Sequence, residues 1–394
     1  MPDKVTIQHV LLQSQEYMAQ SGIDAWLIYD YRQSNPFFTL VLEPLPMVTR
    51  PAFLLIPANG DPTLLVHNVD IGRFSNIDHR KIEYTSRTSL MACLSQILGN
   101  FDRVAMEYSK MGELPRISRV DGGTLEMVRS FGTEVVSSAD LVQYATQRWT
   151  SAQVQSHTRA AELLSRIVME AFEYIGRNLN LMPSELEIGE FILQRLRDER
   201  LYTSDGPVVA VDQHSSDPHH LPTKDTSLPI RNGNWVLIDL WARENHADGI
   251  YADITWVAYV GHTIPIYHQN VFNAVIGARD AAFDFLQQTY QNGEYPKGWE
   301  VDRVARNYLS SLGYGPYFTH RLGHSLGTEV HGEAVNLDGW ETLDTRLVIP
   351  KIGVTIEPGI YMPDFGMRSE IDVYMSEEGP VATSAVQREI VLIG

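Results

Sequence analysis

The first 148 residues alternate between helix-like and strand-like hydrophobic patterns. Apolar residues recur at helical spacing over residues 7–19 and predict an amphipathic helix. Short apolar runs predict strands at residues 25–29, 53–56, 63–66 and 104–108. The turn-forming sequence at 59–62 joins the second and third of these strands and predicts a hairpin. This alternation predicts an α/β domain that ends near residue 148.

The pattern changes after residue 148. Residues 150–153 read as a helix start and open a helical stretch that reaches about residue 179. A second helix is predicted from Pro183-Ser184-Glu185 to about residue 200. Strands in hairpins follow, interrupted by predicted helices near 265–292 and 300–312. Helices followed by antiparallel strands predict an α+β domain over residues 149–394.

Four acids interrupt strand-like apolar segments of this second domain, namely Asp239, Asp253, Glu357 and Glu370. An isolated buried carboxylate is costly, so such a group usually neutralises, pairs or binds metal. A turn at 248–249 joins the first two acid-bearing segments, and one at 363–366 joins the other two. Neighbouring strands can direct opposed side chains to one face, so two hairpins can gather four carboxylates. With His324 between the pairs, the pattern predicts a site for divalent ions.

Charge and composition narrow the function classes. The 394 residues carry a formal net charge of −18, which argues against nucleic acid or an anionic membrane as partner. The longest apolar runs have strand length and fall short of a membrane span. A single cysteine, Cys93, and an amino terminus without a signal-peptide pattern require no oxidising compartment. We therefore expect a soluble cytoplasmic protein.

An ordered set of motifs carries a family resemblance. The motifs are Ile238-Asp239-Leu240 with Ala252-Asp253-Ile254-Thr255, the glycine-histidine segment 323–331, and the two glutamate segments 355–361 and 366–370. The set resembles the M24 "pita-bread" metallopeptidases, which include prolidase, aminopeptidase P and methionine aminopeptidase. Residues 1–148 resemble the amino-terminal domain of the prolidase and creatinase branch. The resemblance implies an α/β amino-terminal domain followed by a pita-bread catalytic domain over residues 149–394.

The resemblance also implies roles for individual residues. Two divalent ions (Mn, Co or Zn) would be held by Asp239, Asp253, His324, Glu357 and Glu370. Glu357 would also move protons, and His219 and His331 would face the substrate, with His220 as the alternative to His219. Arg368 would either brace the acids or bind a substrate carboxylate as a fork, and both readings remain open.

The implied activity is hydrolysis of the Xaa-Pro bond of dipeptides by a water or hydroxide that bridges two metal ions. Alternatives are an Xaa-Pro aminopeptidase acting on longer peptides, a creatinase-like enzyme and a non-catalytic binding module. The resemblance further implies a homodimer that acts on proline-containing dipeptides or short peptides. Three features depart from the family pattern. The hairpin loop 242–250 is longer, Ile250 stands in place of a tyrosine, and Trp256 stands in place of an arginine.

Overall fold

The computed structural model describes residues 7–42, 47–218 and 220–394. The chain forms two compact units, one that ends at Arg148 and one that spans Trp149–Gly394. Within the described part of the chain, none of the helices combines the length and hydropathy that a bilayer span requires.

The amino-terminal unit is a mixed six-stranded sheet with helices on both faces. Its helices are α1 (Ile7–Ser21), α2 (Pro36–Leu40), α3 (Arg87–Leu98), α4 (Gly122–Arg129) and α5 (Ala139–Thr146). Its strands are β1 (Ala25–Asp30), β2 (Ala52–Pro57), β3 (Thr63–His67), β4 (Arg80–Tyr84), β5 (Arg103–Met106) and β6 (Glu134–Ser137). Their order in the sheet is β4-β3-β2-β1-β5-β6, and the predicted hairpin is the antiparallel pair β2–β3.

Each face of this sheet has its own apolar core. Val10, Ser14 and Met18 are buried along α1 at four-residue intervals, which is the spacing of one helical face. Helices α1, α2 and α5 contribute to the core on one face, and α3 and α4 contribute to the core on the other. The central strands β1 and β2 are therefore nearly continuous apolar runs, because both of their faces are covered.

The second unit begins with two long helices whose starts are capped. Its helices are α6 (Ser151–Arg177), α7 (Glu185–Asp198), α8 (Ile266–Gln291) and α9 (Gly298–Ser311). Thr150 and Gln153 form a capping box at the start of α6, and Ser184 and Glu187 form one at the start of α7. These side chains satisfy backbone N–H groups that the first helical turn leaves without partners.

The strands of this unit form three sheets. They are β7 (Leu201–Tyr202), β8 (Val208–Val211), β9 (Trp235–Glu244), β10 (Ala252–Val260), β11 (Ser325–Leu326), β12 (Gly353–Ile356), β13 (Gly359–Tyr361), β14 (Gly366–Arg368), β15 (Ile371–Met375), β16 (Pro380–Ala382) and β17 (Val391–Ile393). The first sheet has the order β17-β10-β9-β7, with β8 also paired to β9; the second has the order β11-β12-β15-β16; the third is the pair β13–β14. Helices α6 and α7 cover one face of the first sheet, and α8 and α9 pack with the second sheet in another core.

The β9–β10 hairpin differs from its prediction in where its loop begins. We expected the loop to span 242–250, but β9 continues through Glu244. The two-residue strand β7 pairs with Arg243 and Glu244, so these residues have backbone partners that extend the strand. The connection to β10 is therefore shorter than the sequence suggested.

Candidate metal centre

Asp239 and Asp253 lie on adjacent antiparallel strands and on the same face of their sheet. The even-numbered apolar residues of β9 pack against α6 and α7, so Asp239 points to the opposite face. Asp239 is paired with Thr255 of β10, and Asp253 is paired with Trp241 of β9. Because same-face side chains recur at every second residue, the two acids are diagonal neighbours.

Glu357 and Glu370 flank a strand pair instead of lying within it, so this part of the hairpin prediction is wrong. Glu357 follows the last residue of β12, Glu370 precedes the first residue of β15, and these strands pair through Ile356 and Ile371. Pro358 has no N–H to continue the ladder, which explains why the strand ends there. The predicted turn near 363–366 belongs to the additional strand pair β13–β14.

Thr255 connects the two halves of the site. Its hydroxyl donates to Glu370 Oε2 at 2.7 Å, and the backbone N–H of Glu370 donates to the Thr255 carbonyl at 3.3 Å. Thr255 is also the residue opposite Asp239 in the β9–β10 pair. One side chain on β10 thus fixes the second glutamate beside the two aspartates.

His324 completes the group of acids. Its Nε2 lies 3.5 Å from Asp253 Oδ2 and 3.5 Å from Glu357 Oε1. Its backbone N–H donates to the Thr355 hydroxyl, and its carbonyl accepts from the Thr355 N–H at 2.8 Å. The preceding residue must be glycine, because a Cβ on Gly323 would overlap the Thr355 carbonyl oxygen.

The five predicted ligands line one cavity of about 280 Å³. Other residues in its wall include Val208, Pro218, Trp241, His320, Arg321, Val330, His331, Glu341 and Arg368. Carboxylate oxygens suit hard divalent ions, and one imidazole adds affinity for Mn, Co or Zn.

Burial raises the pKa of each of the four acids, and that of Glu357 reaches about 7. For Asp253 the next cause is the negative charge of Glu370, and for Glu370 it is the charge of Glu357. The acids therefore oppose one another's ionisation. Divalent cations would remove that repulsion and favour the charged carboxylates.

Two acceptor atoms in the site remain unused. Asp239 Oδ1 and Asp253 Oδ1 are buried, and neither has a hydrogen-bond partner among the residues described in the structure. A buried carboxylate oxygen without a partner is costly, and a metal ion would supply the missing interaction. The residues therefore fit divalent metal ions.

Arg368 braces the acid group from one side. It donates through Nη2 to Asp239 Oδ2, through Nε to the Thr255 hydroxyl at 2.9 Å and through Nη1 to the Tyr361 hydroxyl at 2.8 Å. Its side chain is only 5% exposed. Of the two readings that the sequence left open, these contacts match the bracing of the acids.

Tyr361 and His320 extend this arrangement, and the sequence reasoning assigned no role to either. His320 Nδ1 lies 2.6 Å from the Arg321 carbonyl and must donate there, so the neutral ring accepts the Tyr361 hydroxyl proton through Nε2 at 2.9 Å. Burial lowers the pKa of His320 to about 3, which keeps the ring neutral. The signals in the sequence were weak, since His320 lies three residues before the glycine-histidine segment and Tyr361 ends the first glutamate segment.

The three substrate-facing histidine predictions have different outcomes. His331 lines the cavity, and its ring lies 4.3 Å from the His324 ring in an edge-to-face arrangement. His219 lies outside the described residues. His220 lies beside Glu185, with 3.6 Å between its Nε2 and Glu185 Oε2.

The model of metallopeptidase family M24 matches residues 155–377, which is more than half of the chain. The chain belongs to metallopeptidase family M24. YkvY of Bacillus subtilis is 30% identical to it over 212 residues, which are 53% of this chain and 54% of that protein. This match therefore spans about half the length of the relative.

Solved structures with a similar fold cover both units of the chain. Dipeptidase PepE from Mycobacterium ulcerans has a TM-score of 0.73 at 20% identity, covering 99% of each chain. Recombinant prolidase from Thermococcus sibiricus has a TM-score of 0.63 at 20% identity, covering 98% of this chain and 99% of its own. The prediction of an amino-terminal domain followed by a pita-bread catalytic domain is confirmed, as is the prediction of a metallopeptidase.

Proposed function

We propose that this M24 metallopeptidase hydrolyses the Xaa-Pro bond of dipeptides with two divalent ions, Mn, Co or Zn, in the acid cavity. The observation that carries the proposal is the convergence of four carboxylates and His324, with one unused oxygen on Asp239 and another on Asp253. Asp239, Asp253, His324, Glu357 and Glu370 would hold the ions. Bound divalent ions lower the pKa of water and polarise the scissile carbonyl.

The chain's own groups supply proton transfer and charge stabilisation. Glu357 stands at the cavity wall, where its carboxylate would accept a proton from the attacking water and return it to the leaving nitrogen. His331 would donate to the oxyanion that develops on the scissile carbonyl. The family resemblance implies that His219 would assist His331 in this role. Arg368 would hold Asp239 in place.

The size of the cavity favours a small substrate. At about 280 Å³ it lies just below the range of about 300–1,000 Å³ that is usual for ligand pockets. A dipeptide suits this volume better than a longer peptide does. The names of the structural neighbours, dipeptidase PepE and prolidase, also support a dipeptidase.

Turnover of matched peptides tests the proposal. The full chain, loaded in turn with Mn, Co or Zn, would be given Xaa-Pro dipeptides, Xaa-Pro-Xaa tripeptides and dipeptides without proline. We expect the Xaa-Pro dipeptides to be hydrolysed fastest, with activity lost on chelation and restored by metal. Faster tripeptide cleavage would instead identify an aminopeptidase, and no cleavage together with no metal binding would identify a binding module.

We also propose that the enzyme is a homodimer, as the resemblance to the prolidase branch implies. Light scattering on the metal-loaded protein gives the molar mass directly. We expect twice the chain mass of 44.5 kDa, and a mass of one chain would contradict the homodimer.

A further inference from the structure

A second group of metal-ligating side chains lies outside the five proposed ligands, around Glu185. This residue opens α7, and its side chain is completely buried. The N–H of Val211 donates to Oε1 and the N–H of Leu228 donates to Oε2, both at 2.8 Å. These backbone bonds fix the carboxylate in one orientation.

Two imidazoles face this carboxylate. His214 Nδ1 lies 2.9 Å from Oε1 and 3.0 Å from Oε2 of Glu185. His220 Nε2 lies 3.6 Å from Glu185 Oε2, and the two imidazole rings are only 4.1 Å apart. His220 Nε2 is buried, yet it has no hydrogen-bond partner within the described ranges of the chain. Buried ring nitrogens normally have a hydrogen-bond partner, so this atom is available to bind a cation.

The three ligand atoms lie within 4.8 Å of one another, and two of their separations are close to those around a tetrahedrally coordinated zinc ion. Zinc–nitrogen and zinc–oxygen bonds of about 2.0–2.1 Å place tetrahedral ligands about 3.3 Å apart. The observed separations of 3.0 Å and 3.6 Å from Glu185 Oε2 lie on either side of that value. The two histidine side chains are 19% and 12% exposed, so the group is not fully enclosed by protein.

We propose that Glu185, His214 and His220 form a further cation site, separate from the acid cavity, for a borderline divalent ion such as Zn²⁺. Two imidazole nitrogens and one carboxylate favour zinc over magnesium or calcium, which prefer oxygen ligands. The ion would link α7 to residues 212–218 and to His220. Pro218 of this segment lines the acid cavity, so the bound ion would fix part of the cavity wall.

Zinc binding to the full chain and its variants tests the site. His214→Asn and His220→Asn each remove one ligand, and Asn at 214 can still donate to Glu185. His246→Asn is the matched control, because His246 is a half-exposed histidine with a carboxylate neighbour, Glu244. Zinc would be titrated calorimetrically and counted by mass spectrometry, with circular dichroism to verify that each variant is folded.

We expect the wild type and His246→Asn to bind one zinc ion more than His214→Asn or His220→Asn, or to bind it at least tenfold more tightly. Asp253→Asn, which alters the acid cavity, should retain this additional ion. Equal zinc content and affinity in all folded proteins would overturn the proposal and leave an ordinary histidine–glutamate contact. If a ligand variant does not fold, anomalous scattering at the zinc edge from wild-type crystals decides, and no peak among the three side chains would overturn the site.

Discussion

The two units bury carboxylates in different ways. In the amino-terminal unit, Glu107 is completely buried and is surrounded by neutral donors. It accepts from Trp26 Nε1 at 2.6 Å, Asn35 Nδ2 at 2.6 Å and the Ser138 hydroxyl at 3.1 Å. Burial raises its pKa to about 7, although the three donors act in the opposite direction. Glu107 is thus a single acid whose carboxyl oxygens have hydrogen-bond donors from the surrounding protein.

In the M24 unit, four acids share one cavity and oppose one another's charge. Arg368 pairs with Asp239, yet Asp239 Oδ1 and Asp253 Oδ1 still have no hydrogen-bond partner in the part of the chain that the structure describes. The difference teaches that burial alone does not indicate a functional acid. Mutual repulsion combined with unused acceptor atoms is the better indicator of a metal site, because a bound cation would relieve both.

The largest effect should follow from neutralising one acid of the cavity. Asp253→Asn should lower kcat/KM for an Xaa-Pro dipeptide by about 1,000-fold or more, since it removes the charge of a proposed metal ligand. In the metal-free protein the same change should not lower the free energy of unfolding, because it removes repulsion from Glu370. Peptide hydrolysis and urea denaturation measure the two effects. A variant that keeps kcat/KM within tenfold of the wild type would contradict the assignment.

Glu107→Gln should change stability against pH and leave hydrolysis intact. Below pH 4.5, the ordinary pKa, Glu107 is protonated in both the folded and the unfolded chain. As the pH rises from 4.5 through 7, only the folded chain keeps the proton, so the stability that Glu107 contributes is lost. The loss is on the order of 3 kcal/mol.

Denaturant unfolding at several pH values, compared between Glu107→Gln and the wild type, isolates this residue because the other titrating groups cancel. The free energy of unfolding of the variant should not show the loss of about 3 kcal/mol between pH 4.5 and 7. Its kcat/KM should equal that of the wild type. Identical pH profiles for the two proteins would show that folding does not raise the pKa of Glu107.

A smaller effect should follow from Arg368→Lys, which keeps the charge but not the planar set of donors. Arg368 holds Asp239, Thr255 and Tyr361 at once, and an ammonium group cannot reproduce that geometry. We expect kcat/KM to fall by roughly tenfold to a hundredfold, a few kcal/mol at most. Tyr361→Phe is the matched control, since it removes one partner only. If Tyr361→Phe lowers kcat/KM more than Arg368→Lys does, the assignment of a bracing role to Arg368 is wrong.

Periodicity and local turn chemistry predicted much of the fold. Helix α6 and the β9–β10 hairpin follow from apolar spacing and from capping and turn residues close by in the sequence. Contacts between distant residues could not be predicted in this way. Arg368 and Asp239 are 129 positions apart, and β7 extends β9 only because the folded chain brings them together. The positions of Glu357 and Glu370 at strand ends depend on a further such pairing, that of β12 with β15.

Gly323 has a consequence for how easily this protein can lose its chemistry. Any other residue at that position would force the backbone beneath His324 away from Thr355, although Gly323 does not itself line the cavity. Substitutions that inactivate the protein are therefore not confined to the five proposed metal ligands. A variant that keeps all five of these residues can still be inactive, so their presence alone does not identify a working enzyme.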